Sequence, residues 1–180
     1  MTACFFGYGS LVNRATHAYA PAYPARVTGW RREWRHLAGR PVAILTAVRD
    51  PRAAISGLIA PVPQGDWSAL DLREAYYLRH PLGDELRHDG PPDARVQTYA
   101  VPDAPPAPVQ PILRSYLDVV VQGYLQVFGP EGVQAFFDST TGWEAPLLDD
   151  REAPIYPRHQ MLSPQETALV DAHLERIRGG

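Results

Sequence analysis

Three short stretches hold residues whose types and spacing could do chemistry. The first is Phe5-Phe6-Gly7-Tyr8-Gly9-Ser10-Leu11, where two glycines and a serine interrupt an apolar run. Glycines let an anionic group approach the backbone without meeting Cβ atoms, and N–H groups in a tight loop can point at it. A dinucleotide fingerprint is excluded, because Val12 stands where its third glycine belongs. A serine nucleophile elbow is excluded as well, because Tyr8 and Val12 occupy its two glycine positions. Ser10 therefore reads as a hydrogen-bonding group and not as a nucleophile. The same residues also suit an ordinary turn after a first strand.

The second stretch is Asp66 to Tyr77, DWSALDLREAYY. Trp67, Leu70, Glu74 and Tyr77 recur three to four apart, which puts a carboxylate on an apolar helix face. Two readings compete. Glu74 could pair with Arg73 or Arg79. Alternatively it lies in a partly apolar pocket, where loss of water raises its pKa above about 4.3 and makes it a base near neutrality. Leu72, Ala75 and Tyr76 offer a competing apolar face. The third stretch carries Tyr116 within the stripe Ile112, Tyr116, Val119, Val120, Gly123 and Val127. Such a tyrosine is either a core residue with one satisfied hydroxyl or a group lining a site.

Other chemistry is not indicated. The six histidines are scattered, His80 and His88 lack helical metal spacing, and no HExxH is present. Cys4 is the one cysteine, so an intramolecular disulfide and a cysteine metal cluster are excluded, and a reducing cytoplasm is the default. No metal is expected. Asp149-Asp150 reads as a solvated pair. All 17 basic residues are arginine, which removes Schiff-base chemistry and a phosphate-cradling lysine. A net charge of −3 argues against nucleic acid as a partner, and no apolar run approaches membrane-spanning length. The oligomeric state is not legible.

Elements able to position these residues can be read along the chain. Its 180 residues, 45% hydrophobic and 21% charged, suit one globular domain. Strands are predicted over 3–8, 23–30, 42–48, 55–62, 78–82 and 95–101, with a turn at Asp50-Pro51-Arg52. Asp66 is the predicted N-cap of a helix reaching Tyr77. Residues 101–111 form a proline-rich extended connector. A strong helix spans 112–128 and stops at Gly129-Pro130, and a short helix follows around Val133 to Phe137. Residues 138–160 read as irregular. Ser163-Pro164-Gln165-Glu166 is a capping box that opens the last helix. Strands come first and helices gather late, an α+β order.

Taken together, FFGYGSL at 5–11, LDLREAYYLR at 70–79 and YLDVVVQG at 116–123 resemble the gamma-glutamylcyclotransferase-like superfamily. They are similar to its YGS loop, its L-D-x-x-E segment and its later helix, in which a tyrosine precedes a glycine by seven residues. The resemblance covers roughly residues 4 to 128 and leaves 138–159 unassigned. It implies a small mixed β-barrel with flanking helices. It also implies conversion of a gamma-glutamyl compound to 5-oxoproline, with release of an amine or amino acid. Glu74 would be the general acid/base, Tyr8, Gly9, Ser10 and Leu11 the loop that holds the glutamyl head, and Tyr116 a site-lining hydroxyl. No cofactor is implied, because the substrate's own α-amine is the nucleophile. A non-catalytic, ligand-binding member of the same fold is the alternative. Two departures bear on the substrate. Ala75 stands where a glycine often follows the glutamate, and Val12-Asn13-Arg14 replaces the tryptophan-containing continuation of the glutathione-degrading branch.

Overall fold

The computed structural model describes residues 1–179. Its strands are β1 (Thr2–Gly7), β2 (Tyr23–Arg35), β3 (Ile44–Pro61), β4 (Leu78–Leu82), β5 (Leu86–His88), β6 (Ala94–Ala100), β7 (Ile112–Leu113), β8 (Thr140–Thr141) and β9 (Leu147–Leu148). Its helices are α1 (Ser68–Arg73), α2 (Arg114–Asp138) and α3 (Pro164–Arg178). Six strands run in the order β4-β6-β1-β3-β2-β5, and β8 joins the outer part of β2. β1 is parallel to β6 and antiparallel to β3, so the sheet is mixed. It curls into a half-barrel, and Trp30 of β2 meets His80 of β4 with ring centroids 6.2 Å apart. The α+β class and the small mixed barrel with flanking helices are what the sequence predicts.

Two long strands form the backbone of this sheet. The alternation of β2 turns Val27, Trp30, Arg32 and Trp34 inward, each buried. β3 differs from expectation, because the two predicted strands at 42–48 and 55–62 are one. Arg49 pairs with Trp30 and Ala54 with Thr28, so residues 50–53 bulge out opposite Gly29. Asp50 still accepts the Arg52 N–H at 3.0 Å, the local bond expected of a turn. The turn chemistry is present, but the uninterrupted partner β2 converts a reversal into a bulge. β5 has no counterpart in the sequence prediction.

The helix predicted over 66–77 is also shorter. The N-cap is Trp67 and not the predicted Asp66, whose carboxylate makes a local turn by accepting the Ser68 N–H at 2.9 Å, and α1 ends at Arg73. Glu74 leaves the helix at φ −103°, and the Tyr77 N–H donates to its carbonyl in a turn. The chain cannot stay helical, because Leu78 already pairs with Ala100 in the sheet. The apolar face is the predicted one: Leu70 is fully buried while Leu72 and Tyr76 face solvent.

α2 begins two residues later than predicted, since Ile112 and Leu113 pair with β9. It breaks at Gly129-Pro130 as expected, and the second part continues to Asp138. The Asp149-Asp150 pair does not behave as a solvated pair. Asp149 is exposed, but Asp150 is 6% exposed and accepts N–H groups of Ser115 and Ile155, both at 2.8 Å. Burial raises the Asp150 pKa, but these bonds and the Ser115 hydroxyl outweigh it and hold the carboxyl below its ordinary range. The charge lies at the first turn of α2, where the helix favours an anion. Asp150 thereby anchors the segment after it, residues 151–158. The capping box of α3 forms as predicted.

α2 carries the loop after β1. A Cβ at Gly123 would lie 2.6 Å from the Asn13 nitrogen and 2.8 Å from its Cα, so only glycine admits that backbone. Asn13 is fully buried there and donates to the Val119 carbonyl and to Gln122. Val12 and Asn13, where the chain departs from the glutathione-degrading pattern, are therefore core residues that clamp the loop to α2, and Arg14 is exposed.

Two substitutions test this framework by chemical denaturation. Gly123→Ala should cost about 1–3 kcal/mol, because rigid backbone opposes the added methyl. Arg32→Lys keeps the charge but loses the planar fork, and should cost about 2–4 kcal/mol.

Candidate active site

The loop after β1 is fixed from below. The Tyr8 hydroxyl donates to the Tyr99 carbonyl at 2.6 Å and accepts the Ala47 N–H at 3.0 Å. The Tyr8 carbonyl accepts Arg32 Nε at 3.1 Å and faces the Tyr124 hydroxyl at 2.9 Å. Beyond it, residues Ser10–Val12 make a 3-10 turn whose bonds start from the Val12 and Asn13 N–H groups. The N–H groups of Ser10 and Leu11 come before its first bond, and that of Ser10 is directed at the Tyr116 hydroxyl. A Cβ at Gly9 would lie 2.8 Å from the Tyr116 hydroxyl, so this glycine lets the α2 tyrosine reach the loop.

Glu74 meets the same loop from the end of α1. That end is held by Leu70 in the core, by the Tyr99 hydroxyl donating to Asp71 at 2.7 Å, and by Arg79, which pairs with Asp71 and stacks on Trp67. The Glu74 side chain is 16% exposed, and Arg73 Nε lies 3.3 Å from its Oε1. The rest of the Arg73 guanidinium binds the Ser10 hydroxyl, the Thr16 hydroxyl and the Thr16 carbonyl, at 2.9–3.1 Å. Arg73 therefore ties the carboxylate to the loop. Both sequence readings of Glu74 hold at once: it is ion-paired, and it lies in a partly apolar pocket. Burial raises its pKa and outweighs the nearby Arg73 and Arg158 charges, which lower it.

A narrow recess of about 30 Å³ is lined by the 7–11 loop, Glu74, Tyr77, Tyr99 and Tyr116. All six residues singled out in the sequence, Tyr8, Gly9, Ser10, Leu11, Glu74 and Tyr116, border it. Tyr8 and Leu11 contribute mainly through the backbone, because their side chains are buried in the core. Burial also lifts the Tyr77 and Tyr116 hydroxyls well above their ordinary pKa, so both stay protonated. Tyr77 spends its proton on the Leu45 carbonyl at 2.9 Å. The recess opens into a cavity of about 310 Å³ that shares Ser10, Leu45, Glu74, Tyr77 and Tyr116 with it. The outer wall includes Arg40, Tyr76, Ile155, Tyr156 and Arg158. Tyr156 packs edge-on to Tyr116 with centroids 5.0 Å apart, so the segment left unassigned by sequence walls the cavity. Among the described residues no cluster of three or more His, Cys, Asp or Glu side chains is arranged to hold a metal ion.

Comparison with solved structures places this architecture. The chain superposes on YkqA from Bacillus subtilis with a TM-score of 0.62 and 18% identity, over 82% of this chain and 56% of that one. It thus spans little more than half of the YkqA structure. An uncharacterised protein from Homo sapiens gives 0.59 and 15%, covering 93% and 97% of the two chains. A gamma-glutamyl cyclotransferase gives 0.57 and 14%, covering 96% and 99%. The fold is that of a gamma-glutamyl cyclotransferase. No family model and no curated protein matches the sequence. No helix of the described residues is long and apolar enough to cross a membrane.

Sequence reasoning missed several residues around this recess. Arg32 was detectable as an arginine on the inward side of an alternating strand, between Trp30 and Trp34. Arg73 was considered only as a partner for Glu74, not as a link to Ser10 and Thr16. Arg40 and Arg158 carry no local signal, since long-range folding alone brings them to the cavity.

The raised pKa of Glu74 has a consequence for stability. The folded state holds the Glu74 proton more tightly than the unfolded chain, so ionisation opposes folding as pH rises above the ordinary value near 4.5. Glu74→Gln should therefore raise Tm at pH 7.5, by about 2–4 °C for each kcal/mol relieved. The gain should vanish at pH 4, where both chains carry a neutral side chain at position 74. Thermal melts across this range check the sign.

Proposed function

We propose that the chain is a gamma-glutamylcyclotransferase-type enzyme. The α-amine of a bound gamma-glutamyl compound attacks its own γ-carbonyl, a five-membered ring closes, and 5-oxoproline leaves together with an amine or amino acid. The observation that carries this reading is a buried carboxyl of raised pKa, Glu74, opening onto the same recess as the Gly9-Ser10-Leu11 backbone.

The chemistry asks little beyond orientation, because the nucleophile is tethered to its target. The α-amine has a pKa of about 7.8 and must lose a proton before it attacks. Glu74 takes that proton. As the ring forms, the γ-carbonyl oxygen becomes an oxyanion, and the Leu11 N–H and the protonated Tyr116 hydroxyl are donors suited to it. Glu74 then gives its proton to the departing nitrogen as the oxyanion collapses and the C–N bond breaks, and it takes the second proton that the ring nitrogen sheds on becoming an amide, passing it to the released amine, which leaves as an ammonium. The proton returns where it is needed, so the carboxyl is regenerated in each cycle. Arg73 keeps Glu74 and Ser10 in register for both transfers. Cys4, the one cysteine, is buried and free, which suits a reducing, cytoplasmic setting.

Glu74→Gln should fold and bind while losing 5-oxoproline release by about 100-fold or more. A panel of gamma-glutamyl dipeptides with chromatographic detection of 5-oxoproline reads this directly. Full release by a folded Glu74→Gln chain would overturn the mechanism. Binding of gamma-glutamyl compounds by the native chain without any release would instead identify a binding protein on the same fold.

A further inference from the structure

The cavity outside the recess has an unbalanced charge. Arg40, Arg73 and Arg158 line it, and Glu74 is the one carboxylate among its lining residues. Arg73 is committed to Glu74, Ser10 and Thr16. Arg40 and Arg158 are in no ion pair among the described residues, whereas many of the other arginines, Arg31, Arg35, Arg79, Arg114 and Arg151 among them, are. The Arg40 guanidinium carbon lies over the Tyr76 ring, 4.0 Å from its centroid. Its Nε is shielded from solvent and has no hydrogen-bond acceptor among the described residues. A shielded charged donor without an acceptor is unfavourable unless something else supplies one. Arg158 sits on the 151–158 segment, which Asp150 anchors and Tyr156 presses against Tyr116. Leu113, Ile155 and Tyr156 add apolar wall to the same cavity.

We propose that Arg40 and Arg158 form a carboxylate-binding subsite for the released half of the substrate, so that gamma-glutamyl amino acids and short gamma-glutamyl peptides are preferred over gamma-glutamylamines. This rests on the reading that the recess beside Glu74 holds the gamma-glutamyl head. The released half then extends into the 310 Å³ cavity, which is near the small end of the range for small-molecule sites. A carboxylate there meets two unpaired guanidinium groups, each suited to bidentate contact. A cationic amine, such as a polyamine tail, meets like charge instead. The apolar wall favours an aliphatic side chain next to the carboxylate.

The test compares gamma-glutamyl-leucine with gamma-glutamyl-leucinamide, which is nearly isosteric and lacks the negative charge. The native chain should favour the acid in kcat/KM by about 10- to 100-fold, the worth of a charge-assisted contact. The preference should appear in KM and shrink as salt is raised, because Arg158 is exposed. Arg158→Gln and Arg40→Gln should each move the acid-to-amide ratio toward one. A ratio within twofold in the native chain, or one unchanged in both variants, overturns the subsite while leaving the cyclotransferase reading intact. Calorimetry on Glu74→Gln separates the two claims in the other direction. If the native chain releases no 5-oxoproline from either compound, the cyclotransferase reading fails. Tighter binding of the acid than of the amide by Glu74→Gln still supports the subsite, and equal or undetectable binding of both overturns it.

Discussion

A single buried cation holds the rear of the site together. Arg32 is 1% exposed and has no carboxylate partner among the described residues. Its guanidinium donates to the Tyr8 carbonyl at the end of β1, the Ser56 carbonyl in β3, the Ser139 hydroxyl after α2 and the Tyr124 hydroxyl within α2. It also lies over the Tyr124 and Phe136 rings, 4.9 and 5.3 Å from their centroids. Burying a guanidinium is costly unless its donors are satisfied, and here backbone carbonyls and ring faces replace water. The geometry of those acceptors is consequently shared among β1, β2, β3 and α2. The Tyr8 carbonyl is turned toward Arg32, and in a planar trans peptide the N–H that follows points the opposite way. The loop at the candidate site thus inherits its orientation from the core.

What the sequence revealed and what it hid follow from the range of the interactions involved. Periodicity and capping act over a few residues, so the first part of β2, the break at Gly129-Pro130 and the α3 capping box were legible. So was the convergence of the 8–11 loop, Glu74 and Tyr116, because three spaced motifs pointed to one fold. The failures are cases where a distant partner overrode a local preference. Asp50-Pro51-Arg52 has turn chemistry, yet β2 continues opposite it and makes a bulge. Residues 74–77 have helical periodicity, yet β6 claims the chain from Leu78. Asp150 looks like a surface residue, yet it caps α2 from 35 positions away along the chain.

That last contact changes the account of the C-terminal third. Residues 151–158 have almost no regular structure, but Asp150 at one end and Tyr156 against Tyr116 fix their path. They then serve as a wall of the cavity. The recess is assembled from the N-terminal loop, the end of α1 and α2, while the outer cavity adds the β2–β3 connection and this segment. Division of labour of this kind lets a rigid recess coexist with an outer wall that can change, since irregular segments tolerate change better than sheet and helix do.

The electrostatics of Glu74 show why an ion pair does not disqualify a carboxyl from proton transfer. A guanidinium devoted to one carboxylate would hold it ionised and lower its pKa. Arg73 is not devoted in that way. Its remaining donors go to two Thr16 oxygens and the Ser10 hydroxyl, so its position is set by the loop as much as by Glu74. The contact to Glu74 is a single Nε approach at 3.3 Å, not a bidentate fork. Desolvation then prevails, and the carboxyl stays above its ordinary pKa. The neighbouring Tyr77 and Tyr116 remain neutral, so Glu74 is the group in the recess best able to exchange a proton. One arginine thus aligns the carboxyl with the loop without fixing its charge, which is the combination that the proposed cycle, base first and acid second, requires.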